Sequence, residues 1–335
     1  MQSLQAWLKS IDQSRSWLPL GGYLLLLLFT PLGTIWWLCL MILAVLFLAQ
    51  RLQLSTTLLW ALVTLAGGIL TAGAWNPRTL SPNLRNAPED RQGIVWANIE
   101  RLEIKNFNGL VRINVLEQGG DLQLERRGGA SVVLERRGNT IALTARRPFF
   151  SVSSGVDVIL NAPPNLLVNV QNSNGAVRLE GAVRELNIRT SNGRIEVRDS
   201  GKTRSYLETS NGEIVLEGLS GELIAKTSNA RIRLTNSQDL RLSANTSNAD
   251  VQLENVLLQN NSNSKIETSN GVVQLQRLAA SSGLSIVGST SNAKPDIDAP
   301  GFDVRLEEQR FEATRDGFGM ARLEVQTSNK SIVLR

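Results

Sequence analysis

The sequence contains no histidine and one cysteine, Cys39, among 335 residues. Without imidazole there is no Ser-His catalysis, no histidine acid–base chemistry near neutral pH and no histidine zinc site. A single cysteine excludes a disulfide within the chain and any multi-cysteine metal centre. Aromatic residues make up only 5% of the chain. Trp17, Trp36, Trp37, Trp60 and Trp75 all fall in its apolar N-terminal part, where an interfacial or packing role suits them better than a ligand box. The chain also lacks a one-sided charge: the net value is +5 and most arginines are mixed with acids, so nucleic-acid binding is not implied and no cofactor is expected.

Charge of either sign is missing from residues 17–49 and again from 54–75, and such runs read as membrane segments. Two arrangements fit. Three short helices (about 16–30, 34–49 and 54–75) leave Lys9, Arg15 and Arg51 on the inner side and send the rest of the chain out, as the positive-inside rule asks. Two longer helices (about 30–49 and 54–75) have better lengths, but put Lys9 and Arg15 on the same side as the C-terminal part. The charge rule favours three, and cleavage after Ala74 is a minor alternative. The sequence thus divides into a membrane anchor over 1–75, a Pro-containing tether over 76–93, a β-rich cap region over 94–167 and a repeat region over 168–335.

What the repeat region does have is one returning phrase, usually Thr-Ser-Asn followed by Gly or Ala. Its asparagines are Asn174, Asn192, Asn211, Asn229, Asn248, Asn270, Asn292 and Asn329, spaced by 18, 19, 18, 19, 22, 22 and 37. The last gap reads as two periods with one phrase lost. Three and five residues after every Asn but Asn292, where Pro295 takes the first position, stands an apolar pair, such as Ile195 and Val197 or Ile214 and Leu216, the spacing of a strand with one buried face. A second pair precedes it, as in Leu186 and Ile188. The pattern predicts an all-β fold: a parallel, in-register β-solenoid of coils of about 19 residues with an N-terminal β cap, behind an α-helical membrane region.

Outward positions support parallel stacking. Two residues after the Asn, successive coils read Arg194, Glu213, Arg231 and Asp250; six after, Glu180, Arg198 and Glu217; three before, Arg189, Glu208 and Lys226. The alternating signs suit ladders of ion pairs between coils. Within the phrase, Asn and Gly are expected to supply a left-handed turn, and the small following residue to admit the next coil. The eight asparagines form a structural ladder in this reading, with a ligand-binding row as the alternative. Phe107-Asn108-Gly109 is a degenerate first copy, and residues 300–319 are an irregular C-terminal cap before 323–335 restores one coil.

With these motifs in view, the region 95–335 resembles the bacterial "putative adhesin" β-strand-repeat family, a domain of unknown function grouped with the toastrack envelope modules. The likeness rests on residues 155–163 (GVDVILNAP) and on the recurring Ser-Asn-Gly-x-apolar-x-apolar pattern. It implies an extracytoplasmic β-solenoid on a bacterial cytoplasmic membrane, whose partners are the lipid bilayer and local envelope polymers or membrane proteins. Similar modules occur beside phage-shock-type membrane proteins, which makes a regulatory part of an envelope-stress system the alternative. The family brings no catalytic residues.

The chain reads as non-enzymatic. A polysaccharide-active β-helix, the minor alternative, needs clustered carboxylates, whereas these acids face bases. Three arginine pairs, Arg126 with Arg127, Arg136 with Arg137 and Arg146 with Arg147, recur in the cap region. A hairpin meander would place the first and third pairs at one end. Arg126, Arg127, Arg146 and Arg147 are therefore the candidates for contact with lipid headgroups or anionic polymers.

Overall fold

The computed structural model describes residues 89–148 and 154–335. The membrane segments expected within 1–75 lie outside the described residues, none of which is helical. The fold is all-β, with 22 strands in a mostly parallel sheet.

Each coil contributes a strand before the phrase and a strand after it, so the coils stack through two ladders. The first chain segments are β1 (Glu89–Gly93), β2 (Arg101–Lys105), β3 (Val111–Val115), β4 (Asp121–Arg127), β5 (Ser131–Arg137), β6 (Thr140–Arg146) and β7 (Gly155–Ala162). The repeats follow as β8 (Leu167–Asn172), β9 (Val177–Glu180), β10 (Glu185–Thr190), β11 (Ile195–Glu208), β12 (Ile214–Thr227), β13 (Ile232–Thr246), β14 (Val251–Leu258), β15 (Asn263–Thr268) and β16 (Val273–Ala280). The last are β17 (Leu284–Thr290), β18 (Asp296–Ile297), β19 (Asp303–Glu307), β20 (Arg310–Arg315), β21 (Ala321–Thr327) and β22 (Ile332–Leu334). The long strands β11, β12 and β13 turn a corner and serve both ladders.

Register follows the sequence period without slip at the apolar positions. Val177, Ile195, Ile214, Ile232, Val251 and Val273 are direct neighbours in one ladder. Leu186, Leu223, Leu242 and the residues aligned with them form the other, and all are buried. Alternation explains this, since a shift of one residue would turn every apolar side chain outward.

Stacking order departs from chain order at both ends. The coil of β2 and β3 sits between the coil of β6 and β7 and that of β8 and β9. At the other end, β21 lies between β15 and β17, and β22 between β16 and β18. No period is missing from the 37-residue gap. The chain makes the outer coil first, crosses out through the β19–β20 hairpin, and returns to fill the space inside it. This corrects the expectation that 323–335 follows the cap: Ile332 and Leu334 are buried inside the stack, and the antiparallel strands β20 and β19 cover the end of the first ladder.

Two further expectations change. Residues 89–93, assigned to the tether, form β1 and pair antiparallel with β4. The arginine-rich strands are not a meander: β5 and β6 form a hairpin, but β4 pairs with β1 and β7. Gly128 and Gly129, at φ of 58° and 73°, carry the chain from one ladder to the other.

Candidate binding surface

The phrase forms one corner of every coil. Its Thr or Asn is buried, the Ser and Asn are exposed, and the small residue packs under the next coil. Thr209, for example, accepts from Gly212 N at 3.1 Å and donates to Gly193 O of the coil before it at 3.2 Å. Thr268 does the same with Gly271 N and Ala249 O, at 3.1 and 3.0 Å. In the first repeat Asn172 takes this place and donates to Gly109 O at 3.0 Å. At Thr190, Thr209 and Thr268 the buried hydroxyl thus closes its own turn and ties it to the coil before.

Only Gly109 of the degenerate first copy has a positive φ, 122°; Gly175, Gly193, Gly212 and Gly271 of the phrase have none of the left-handed φ values expected for them, nor do its eight asparagines. Their role is close approach: a Cβ on Gly212 would stand 1.8 Å from Gly193 O, and one on Gly271 1.8 Å from Ala249 O. A column of left-handed residues stands instead at the opposite corner, seven positions after six of the eight Asn. Gly181, Asp199, Gly218, Asn236, Asn255 and Arg277 form this column, with φ from 49° to 104°. The signal was in the sequence, because Gly, Asn and Asp are the residues that tolerate this conformation, but Arg277 hides the regularity. Here Asn255 Nδ2 donates to Asn236 Oδ1 at 2.9 Å.

On the outside of the phrase corner, the eight side-chain amides form one column. Asn192 Nδ2 donates to Asn174 Oδ1 at 2.8 Å, Asn211 to Asn192 at 2.7 Å, Asn229 to Asn211 at 2.7 Å and Asn248 to Asn229 at 2.8 Å. Asn270 donates to Asn248 at 2.8 Å, Asn329 to Asn270 at 2.6 Å and Asn292 to Asn329 at 2.6 Å. An amide has two N–H groups and two acceptor lone pairs, and the column uses one of each between neighbours. The unused N–H and lone pair of each exposed Asn remain available at the strand spacing of about 4.8 Å.

Ion pairs run along the outward faces. Arg194 meets Glu213 at 3.7 Å, Arg231 meets Asp250 at 3.6 Å, Arg189 meets Glu208 at 3.6 Å and Arg198 meets Glu217 at 3.8 Å. Arg198 takes Glu196 as its second partner, at 2.8 Å, and not Glu180. The four pairs between coils are well solvated, with side-chain exposures of 31–56%, so each is worth about 0–1 kcal/mol and acts mainly on register. Tyr206 lies between the Arg189 guanidinium, 5.1 Å from its ring centre, and Lys226, at 5.8 Å. Burial, followed by the hydrogen bond to Glu208, raises its phenol pKa.

The four candidate arginines are not equivalent. Arg126 is held by Asp90 at 2.5 Å and Arg127 by Asp157 at 2.7 Å. Arg146 and Arg147 are exposed and make no ion pair among the described residues. The structure therefore neutralises half of that group within the cap. Among the described residues no cluster of acidic or sulfur side chains could hold a metal.

No family model matches the chain, and no curated protein sequence matches it. Among solved structures, it is similar to one titled "putative cell adhesion protein" from Clostridium sporogenes ATCC 15579, at 12% identity and a TM-score of 0.29. That match covers 74% of this chain and 99% of the other. A likeness at this level carries no argument about function.

Proposed function

We propose that the chain is a non-enzymatic, membrane-anchored envelope protein that displays its β-solenoid outside the cytoplasmic membrane and holds local envelope components on a polar face. The observation that carries this reading is the column of eight asparagine amides. Its groups are positioned before any ligand arrives, so little ordering entropy is lost on binding. The uncharged runs 17–49 and 54–75 support the anchor. Regular ladders of exposed polar groups suit an extended, repetitive partner such as a polymer better than a compact one.

Sidedness and binding are tested separately. With Cys39→Ser, a single thiol at the exposed position Glu308 (Glu308→Cys) should label in whole cells with a membrane-impermeant reagent as it does in lysed cells. Protection until the inner membrane is opened would sink the extracytoplasmic reading. The full-length chain in neutral detergent should co-sediment with isolated envelope material, and the joint replacement Asn211→Ala, Asn229→Ala and Asn248→Ala should reduce that fraction severalfold. Unchanged sedimentation would remove the amide column as the binding face.

A further inference from the structure

Parallel strands in register set equivalent side chains about 4.8 Å apart, close enough for like charges to repel. Among the described residues, the parallel registers bring charged residues side by side many times, from Arg178 against Glu196 to Lys265 against Glu324. Every such pair is of opposite sign but one. The exception is Arg112 of β3 against Arg178 of β9.

Arg178 is compensated from its other side by Glu196 at 3.2 Å. Arg112 has no such relief. Its neighbour on the outer coil is Ile159, it is half-buried, and no acidic group or carbonyl bonds to it. Two positions along the strands, Asn114 stands beside Glu180, an exposed carboxylate that is also without an ion-pair partner. These four side chains, with Glu196 and Arg198, line a shallow cavity of about 360 Å³.

We propose that this cavity is a subsite for an acidic sugar. The oxyanion of the sugar lies between the Arg112 and Arg178 guanidinium groups, which present forked donors suited to carboxylate or phosphate. Ring hydroxyls donate to Glu180 and accept from the free N–H of Asn114. The same Glu180 disfavours a bare or densely charged anion, so recognition needs both the oxyanion and the hydroxyls. The like-charged pair is retained at some cost to stacking because the missing counter-charge arrives with the ligand. This subsite rests on the binding-module reading, and it places specificity on the face of the second ladder.

The test uses the full-length chain in neutral detergent, with glucuronate, glucose and inorganic phosphate compared at equal ionic strength by saturation-transfer NMR. Glucuronate should bind, glucose and phosphate should bind more weakly, and Arg112→Gln should weaken glucuronate about tenfold or more, the scale of one lost hydrogen bond between charged groups. Arg233→Gln, in the same outward row farther along, should leave binding unchanged. Arg112→Glu should abolish binding while keeping or raising Tm, since it restores an opposite charge beside Arg178. Glucuronate binding equal to that of phosphate would overturn the sugar assignment. Binding that survives Arg112→Gln, or a Tm lowered by Arg112→Glu, would overturn the site. Envelope co-sedimentation that persists in wild type when glucuronate fails to bind would discard the subsite alone, whereas loss of both would discard the binding module with it.

Discussion

Asn329 stacks directly on Asn270, its amide donating to the Asn270 side-chain oxygen at 2.6 Å across 59 positions of sequence. Between them in the chain lies the coil of Asn292, which stacks on the far side of Asn329. The coil of β21 and β22 is therefore a wedge between two coils already made, not the last layer of a pile. Leu323, 1% exposed and facing both Ser264 and Ile286 in register, is a core residue of this wedge.

Leu323→Ala should cost about 2–5 kcal/mol, the usual range for a buried leucine. Hydrogen exchange should speed up in both β15 and β17, since both lose their neighbour. Leu306→Ala on the outer strand β19, where the side chain is 60% exposed, should change stability by less than about 0.5 kcal/mol. Faster exchange confined to β17 would contradict the interposed order.

Thr268→Val keeps the shape of the buried side chain but removes its hydroxyl. Gly271 N then loses its acceptor and Ala249 O its donor. Urea denaturation should show a loss of about 1–3 kcal/mol, the cost of stranding buried polar groups. Thr268→Ser should recover most of it.

Arg277 is the one long side chain in the left-handed corner column, at φ 51°. Its neighbours there show that asparagine fits. Arg277→Asn should raise stability by about 0.5–1 kcal/mol, because asparagine bears the conformation at lower cost. The exposed ion pair with Glu254 that is lost offsets only a small part of this. A fall in the urea midpoint would show that the ion pair outweighs the backbone strain.

Glu267 has its carboxyl pKa lowered, first by the hydrogen bond from Lys265 and then by that from Asn245. A group depressed in the folded state stabilises above its unfolded pKa, and the contribution fades as pH falls through the folded value. Thermal melts of Glu267→Gln and the parent chain should differ at pH 7. The two curves should converge as the pH drops below the ordinary glutamate range. A difference that stays constant down to pH 3 would mean that packing, not titration, separates them.

Much of the coil was legible in the residues. The apolar pairs after each Asn, such as Ile214 and Leu216, carry the period-two signal directly, and the alternation of Arg194, Glu213, Arg231 and Asp250 already implied parallel neighbours. The candidate surface was less legible. Arg126 and Arg127 looked like free cations because the acids that bind them, Asp90 and Asp157, are 36 and 30 positions away. Arg112 drew no notice, since a lone arginine becomes exceptional only when its neighbour across the ladder is known to be Arg178.

By itself, the sequence determined the unit: a coil of about 19 residues, which side chains face inward, and the corner at which the phrase turns each coil. It did so because alternation and turn chemistry act over a few residues. The order in which coils stack, the full regularity of the left-handed column that Arg277 obscures, and the one like-charged contact across the parallel ladders of the described residues were decided by the tertiary structure. Coils that share a period can pair with any neighbour of the same register, and only the geometry of the crossing segments, the β19–β20 hairpin and the β4–β6 excursion, selects which pairs meet.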